Sequence, residues 1–254
     1  MVELKSEAEL KLMREAGAIV AKVLATVRAA ARPGVSLLEL DALAADLIRD
    51  AGARPSFLHY LPRFAPTPFP GVLCTSLNDV IVHGIPSARR LVAGDLLSVD
   101  CGAEIHGFHG DSAISFTIGE PSTKDARLIE TTQRALDAGI AAAQAGGRLG
   151  DISAAVGQVG RTAGFGIPDD FGGHGVGRAM HEDPGVPNDG RPGRGLRLKP
   201  GLVLAIEPML LAGGEDAYET APDGWALRTC DHSRAAHIEH TVAITADGPL
   251  VLTA

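Results

Sequence analysis

Asp100 and Asp111 stand in the run LLSVDCGAEIHGFHGDSAISF, residues 96–116, whose two strand-like arms flank a tight turn. A turn centred on Ile105 and His106 sets Glu104 opposite Gly107 and Asp100 opposite Asp111. Residues facing each other across an antiparallel ladder share a face, with Cβ atoms roughly 4.5–5.5 Å apart. Bare carboxylates that close repel, and one stays protonated. A positive charge is therefore expected between them, and a pair of divalent metal ions is the strongest candidate. Taken alone, the two aspartates also suit a solvated surface hairpin.

The second half of the chain offers what such a site lacks. Phe171-Gly-Gly-His-Gly-Val-Gly177 has too many glycines for a helix interior, and its backbone can approach a ligand or metal closely. His174 is the side chain there able to coordinate, and His181 follows seven residues later. Glu207 ends the apolar run LVLAIEPM, where an unpaired charge is costly to bury. Glu239 lies between Ile238 and the alternating strand pattern His240-Thr-Val-Ala-Ile244. Four carboxylates and one imidazole suit paired Mn, Fe, Co or Zn ions and not a closed structural zinc, which favours cysteines. Two divalent ions would neutralise the four negative charges. Metals roughly 3.5–4 Å apart activate water and polarise a carbonyl, so peptide-bond hydrolysis is the expected chemistry.

Elements to carry these residues are legible on either side. Ser6 with Glu9 and Ser36 with Glu39 are capping-box pairs, opening amphipathic helices that end near Pro33-Gly34 and Gly52. Pro62, Pro66, Pro68 and Pro70 make residues 61–71 a stiff loop. Strands are expected at Val72–Thr75 and Val80–Val82, then in the two arms around Asp100 and Asp111. The plan then restarts, with helices over Lys124–Gln144 and Leu149–Ala163, a loop rich in Gly and Pro, and strands at Leu202–Ile206 and His237–Ile244. Gly94-Asp-Leu-Leu-Ser-Val-Asp100 aligns with Gly201-Leu-Val-Leu-Ala-Ile-Glu207. The chain thus reads as one catalytic domain, residues 1–254, of two related halves near 7–119 and 120–249. The fold class is α+β, with the carboxylates on a shared inner sheet face and helices outside.

Composition narrows the function classes. The chain has 254 residues, 45% hydrophobic and 21% charged, ordinary values for a globular protein. Its charged start argues against a secretory signal, and no stretch of 18 apolar residues is present, so no membrane partner and a cytoplasmic location are expected. Three scattered cysteines, Cys74, Cys101 and Cys230, form no disulfide framework and suit a reducing compartment. A net charge of −8 speaks against a general nucleic-acid binder. Arg191, Arg194 and Arg197, within Asn188 to Lys199, read mainly as a solvated loop, with ribosomal RNA as the contact a basic loop would suit.

Together these motifs resemble the type I methionine aminopeptidases, two-metal peptidases with a pseudo-two-fold pita-bread fold. The likeness runs from about Glu7 to Thr245 and includes Ser76-Leu-Asn-Asp-Val-Ile-Val-His83-Gly-Ile-Pro86. It implies that Asp111 and Glu239 bridge two divalent ions, that Asp100 chelates one, and that His174 and Glu207 complete the other. Glu207 would also be the general base, His181 would bind the scissile carbonyl, and His83 would contact the scissile amide nitrogen. Tyr60, Phe69, Cys74, Met180 and Trp225 match the methionine pocket. The implied substrates are nascent polypeptides or peptide N-termini with a small second residue, met near the ribosome, by an enzyme acting as a monomer.

Some residues depart from the family pattern. Leu61-Pro-Arg-Phe-Ala-Pro-Thr-Pro68 is an insertion of about half a dozen residues, expected to reshape the pocket rim. His237 stands where glutamine is frequent and Met180 where an aromatic is, side chains able to adjust contacts behind the ligands. Two other readings share parts of the pattern. Proline-directed peptidases such as prolidase use the same five ligands, usually behind a large extra N-terminal domain. A ligand-free pita-bread protein would be a binding module, and binding no metal would favour it.

Overall fold

The computed structural model describes residues 2–63 and 65–254, so Phe64 of the insertion lies outside the described residues. Among the described residues four helices follow from their caps and apolar stripes. Helix α1, Glu7–Ala30, opens with Ser6 N–H donating to Glu9 Oε2 at 2.8 Å, and α2, Leu37–Asp50, repeats the box with Ser36 and Glu39. Helix α3, Thr123–Ala142, is capped by Ser122, and α4, Leu149–Thr162, begins where Asp151 accepts from Arg148 N–H at 2.7 Å. Among the described residues no helix is long and apolar enough to cross a membrane.

Among the described residues the central sheet has nine antiparallel strands. Its main path runs Arg54–Pro55, Leu96–Ile105, Phe108–Thr117, Glu239–Thr245, Val203–Ile206, Gly172–Gly175, Glu182–Pro187. Leu73–Leu77 adds beside the first long arm and Gly248–Val251 beside Glu239–Thr245. Two cores back this sheet. Val20, Val23 and Val27 of α1 and Leu40 and Ile48 of α2 bury against Leu97, Val99 and Cys101. Leu136 of α3 and Ile152 and Val156 of α4 bury against Leu204, Ile206 and Val242. The architecture is the expected α+β pita-bread plan, and the sheets from the two ends of the chain join where Glu239 pairs with Ala113 and His240 with Ser112.

The hairpin register differs from the expectation. Ile105 pairs with Phe108, so the turn is His106-Gly107, Asp100 faces Ala113, and Asp111 faces Gly102. His106 and Gly107 both have positive φ, 57° and 78°, as a two-residue hairpin turn of the primed kind requires. β-Branched Ile105 is a poor residue for that conformation. The slip is two residues across the pair, so the aspartates keep a common face but sit diagonally.

Two further expectations are corrected. The Gly- and Pro-rich stretch after α4 contains strands at Gly172–Gly175 and Glu182–Pro187. A Cβ on Gly173 would overlap the Ala205 carbonyl, and one on Gly175 the Asp183 carbonyl, so these glycines serve strand-to-strand approach and not a ligand. The expected strand His237–Ile244 is broken at Ile238 into Ala235–His237 and Glu239–Thr245.

Helix α1 crosses the sheet so closely that Gly17 abuts the backbone of Leu252, and a Cβ there would overlap the Leu252 carbonyl. Gly17→Ala should therefore lower stability by about 1–3 kcal/mol despite alanine's better helix propensity. Denaturant melts check this, and a variant as stable as the parent would refute the close fit.

Candidate metal centre

One row across three strands carries Asp100, Ala113 and Glu239, because Ala113 pairs with both neighbours. Asp111 lies two residues from Ala113 and so shares its face. Glu207 follows the strand Val203–Ile206, and His174 sits in the next strand outward. The structure thus brings all five predicted residues to one face.

His174 Nε2 is 3.6 Å from Asp111 Oδ2 and 3.6 Å from Glu207 Oε1, and its Nδ1 lies 2.9 Å from the Gly175 carbonyl. Donation from Nδ1–H to that carbonyl leaves the Nε2 lone pair facing the acids, the tautomer a metal ligand needs. Asp111, His174 and Glu239 each offer a donor atom within 4.8 Å of the others, as do Glu207, His237 and Glu239. Three buried carboxylate oxygens, Asp100 Oδ1, Asp111 Oδ1 and Glu239 Oε1, have no hydrogen-bond partner among the described residues. Orphaned carboxyl oxygens converging beside an imidazole fit divalent cations, which would satisfy them.

Electrostatics agree. Burial, then the charges of Asp111 and Glu207, push Asp100 and Glu239 well above the usual carboxylate range. Burial works against a charge on His174, but Asp111 and Glu207 together hold its imidazole above the ordinary value. The metal-free fold therefore binds more protons at Asp100 and Glu239 than the unfolded chain does. Its stability falls as pH rises from the ordinary carboxylate range toward the raised values, and cations binding the anionic forms reverse that loss. The gain in Tm on adding Mn(II) should accordingly be larger at pH 8 than at pH 5.5. Thermal scans with and without the ion read this directly, and an equal or smaller gain at pH 8 would contradict it.

Beside the centre opens a cleft of about 310 Å³. Phe69, Cys74, Met180 and Trp225 pack into one apolar cluster on its wall, with Tyr60 against them. Phe69 meets Trp225 edge-on, ring centres 5.0 Å apart, and burial pushes the Cys74 thiol up, so it stays neutral. Phe57 belongs to the same cluster and was not expected, since nothing in Ser56-Phe57-Leu58 distinguishes it from ordinary core. Two histidines flank the opening. His181 is exposed toward the cleft, stacks on Tyr60 at 5.1 Å and lies 4.0 Å from the His174 ring. The protein around its ring, then His174 and His83, push its pKa down to about 3. His83 stands edge-on to Phe171 and Trp225, and burial pushes it down to about 4. Both imidazoles are neutral near pH 7, and the His83 ring is held by a hydrogen bond to the Trp225 backbone.

Described residues of the insertion, Pro62 and Thr67, lie at this wall. The insertion's ends are clasped by Phe69 N–H donating to the Tyr60 carbonyl at 2.9 Å and His59 N–H to the Phe69 carbonyl at 2.8 Å. Trp225 Nε1–H donates to the Thr67 carbonyl at 3.0 Å, and Pro62 reaches the cleft lining. Asn188 departs from the solvated-loop expectation: it is buried, and its Nδ2–H donates to the Glu207 carbonyl at 2.9 Å. Arg191, Arg194 and Arg197 are exposed as expected. Asn78 takes positive φ at a turn, its side chain bonding Leu96 N–H and Asp95, which makes it a scaffold residue.

Comparison with known proteins places this geometry among relatives. Residues 11–246 match the model of metallopeptidase family M24. The chain is 49% identical to methionine aminopeptidase 1 of Mycobacterium tuberculosis, covering 100% of this chain and 95% of that protein. It is 43% identical to methionine aminopeptidase 1 of Bacillus subtilis, with 100% and 99% covered. The crystal structure of methionine aminopeptidase from Thermotoga maritima superposes with a TM-score of 0.94 at 36% identity, covering 100% of this chain and 99% of that one.

Proposed function

The chain belongs to metallopeptidase family M24, and from that premise we propose that it is a methionine aminopeptidase, releasing N-terminal methionine from peptides by metal-dependent hydrolysis. The observation that carries this reading is the adjacency of an apolar, sulfur-containing pocket to a five-donor centre in one cleft. Thioether side chains pack well against aromatic and sulfur groups, and Phe69, Cys74, Met180 and Trp225 supply both.

In this reading Asp100, Asp111, His174, Glu207 and Glu239 hold two divalent ions, Co, Mn, Fe or Zn. When bound, such ions supply Lewis-acid polarisation and a water acidic enough to react near neutral pH. Glu207 accepts the proton of the attacking water as general base. His181, neutral, donates its N–H to the scissile carbonyl oxygen as negative charge develops there. His83, also neutral, holds the scissile amide nitrogen. Tyr60 stacks on His181 and fixes that ring's plane.

The whole chain works as one catalytic unit, its halves near 7–119 and 120–249 each supplying ligands to the seam between them. A closed pocket end that fits the free amine favours a small second residue, and Pro62 of the insertion reshapes the rim of that cleft. The free thiols suit a cytoplasmic setting, and nascent chains are the natural source of such N-termini. Exposed Arg191, Arg194 and Arg197 would meet ribosomal RNA, and the enzyme works as a monomer.

The test is a panel of Met-X-Ser peptides with X as Ala, Gly, Leu or Lys, run beside Ala-Pro-Ala with Mn(II) or Co(II) present. Release of methionine from Met-Ala-Ser and Met-Gly-Ser alone is expected. Cleavage only before proline would move the chain to the proline peptidases, and no cleavage with either metal would favour a binding role. Co-sedimentation of ribosomes with a triple Arg→Ala variant tests the basic loop, and unchanged sedimentation would dismiss it.

A further inference from the structure

Glu207 and His237 face each other across two breaks in strand geometry. Pro208 interrupts one chain after Glu207, Ile238 interrupts the other after His237, and Ile238 N–H reaches the Pro208 carbonyl at 3.3 Å. His237 Nε2 lies 3.1 Å from Glu207 Oε2 and 4.0 Å from Glu239 Oε2. The other oxygen of Glu207, Oε1, faces His174. Asn188 serves the backbone carbonyl of Glu207 and not its carboxylate. The two oxygens of one carboxylate are thus assigned to two different imidazoles.

His237 is itself built in. It is 2% exposed, and Ser115 clasps its backbone, Oγ donating to the His237 carbonyl at 2.7 Å and accepting from His237 N–H at 3.0 Å. A hydroxyl has one proton, already used, so Ser98 must donate in its 2.7 Å bond to Ser115. Every hydrogen-bonding position of the Ser115 hydroxyl is then satisfied, and the backbone that carries the His237 ring is held.

We propose that His237 is the positioning residue of Glu207: its Nε2–H donates to Oε2 and presents Oε1 alone toward the His174 side of the centre. Held in this way, the carboxylate cannot swing to grip a cation with both oxygens, and it stays aimed for proton transfer. The inference rests on the reading of Glu207 as ligand and base. Hydrogen-bond partners behind metal-binding carboxylates tune affinity by orienting them, typically by about 10–100-fold.

The test uses the full chain with 15N-labelled histidine, metal-free and loaded with diamagnetic Zn(II), with His237 assigned by the resonance lost in His237→Gln. The expected result is an Nε2 that keeps its proton in both states. An Nε2 that loses its proton on Zn(II) binding would make His237 a ligand and overturn the proposal. Zn(II) affinity should fall about 10–100-fold in His237→Leu and by less than threefold in His237→Gln, which retains an N–H donor. On Met-Ala-Ser, His237→Leu should lose kcat at unchanged KM and His237→Gln should restore most of it. Equal losses in both variants, or none in His237→Leu, would overturn the proposal, with circular dichroism checking that each variant folds. The Zn(II) readouts hold whether or not any peptide is cleaved, so failure of the proposed activity and failure of this inference are told apart.

Discussion

Glu207→Gln should lower kcat on Met-Ala-Ser by about 10²–10⁴-fold at saturating metal, with KM little changed. The amide keeps the shape of the carboxylate and its reach toward His237 and His174, so the strand pair and the pocket stay as they are. What is lost is the site that takes a proton from water, together with one negative charge beside the ions. Stopped-time assays at several metal concentrations separate the two effects. A deficit abolished by excess metal would mean that Glu207 is only a ligand, and the proton acceptor must then be sought elsewhere.

Metal removal is expected to have an effect as large. Chelation should abolish methionine release, and adding back Mn(II), Co(II), Fe(II) or Zn(II) singly should restore it to different degrees, since ligand type admits all four. The stripped centre buries three oxygens with no hydrogen-bond partner among the described residues, and a buried carboxylate without a counter-charge costs several kcal/mol or takes up a proton. At a free ion concentration 100 times Kd, binding to the fold alone adds about 2.7 kcal/mol of stability. Calorimetric titration of the stripped protein should show two ions per chain. A single ion, with full activity, would remove Asp100 from the working set.

The helices, and several of the five residues that the fold gathers on one face, were legible in the sequence for local reasons. Capping boxes, stripes and strand alternation are short-range signals, and Ser6–Glu9 and Ser36–Glu39 close as read. A carboxylate at the end of LVLAIEP is out of place unless something pairs it, and that is a local signal too. The hairpin register was missed because two adjacent turn positions differ by one residue in the sequence, and only the left-handed backbone of His106 decides between them. The Gly172–Gly175 strand was missed because its glycines answer to carbonyls of Ala205 and Asp183, which no local pattern reveals. Phe57 and the buried Asn188 were hidden for the same reason: their partners are distant in sequence.

The joint between the strands Phe108–Thr117 and Glu239–Thr245 also sets when the chain can assemble its centre. Asp111 and Glu239 come from strands that pair only once residues 239–240 exist, and α1 waits for Leu252 to cover Gly17. At about 5–20 residues per second of synthesis, the first helix is made on the order of tens of seconds before its last partner. A growing chain therefore carries no peptidase, however much of it has folded. Chains interrupted before Glu239 lack one of the residues gathered at the centre and should be inert. Val20, Val23 and Val27 are covered once α2 and the strand Leu96–Ile105 exist, so only the Gly17 end of the helix waits for Leu252.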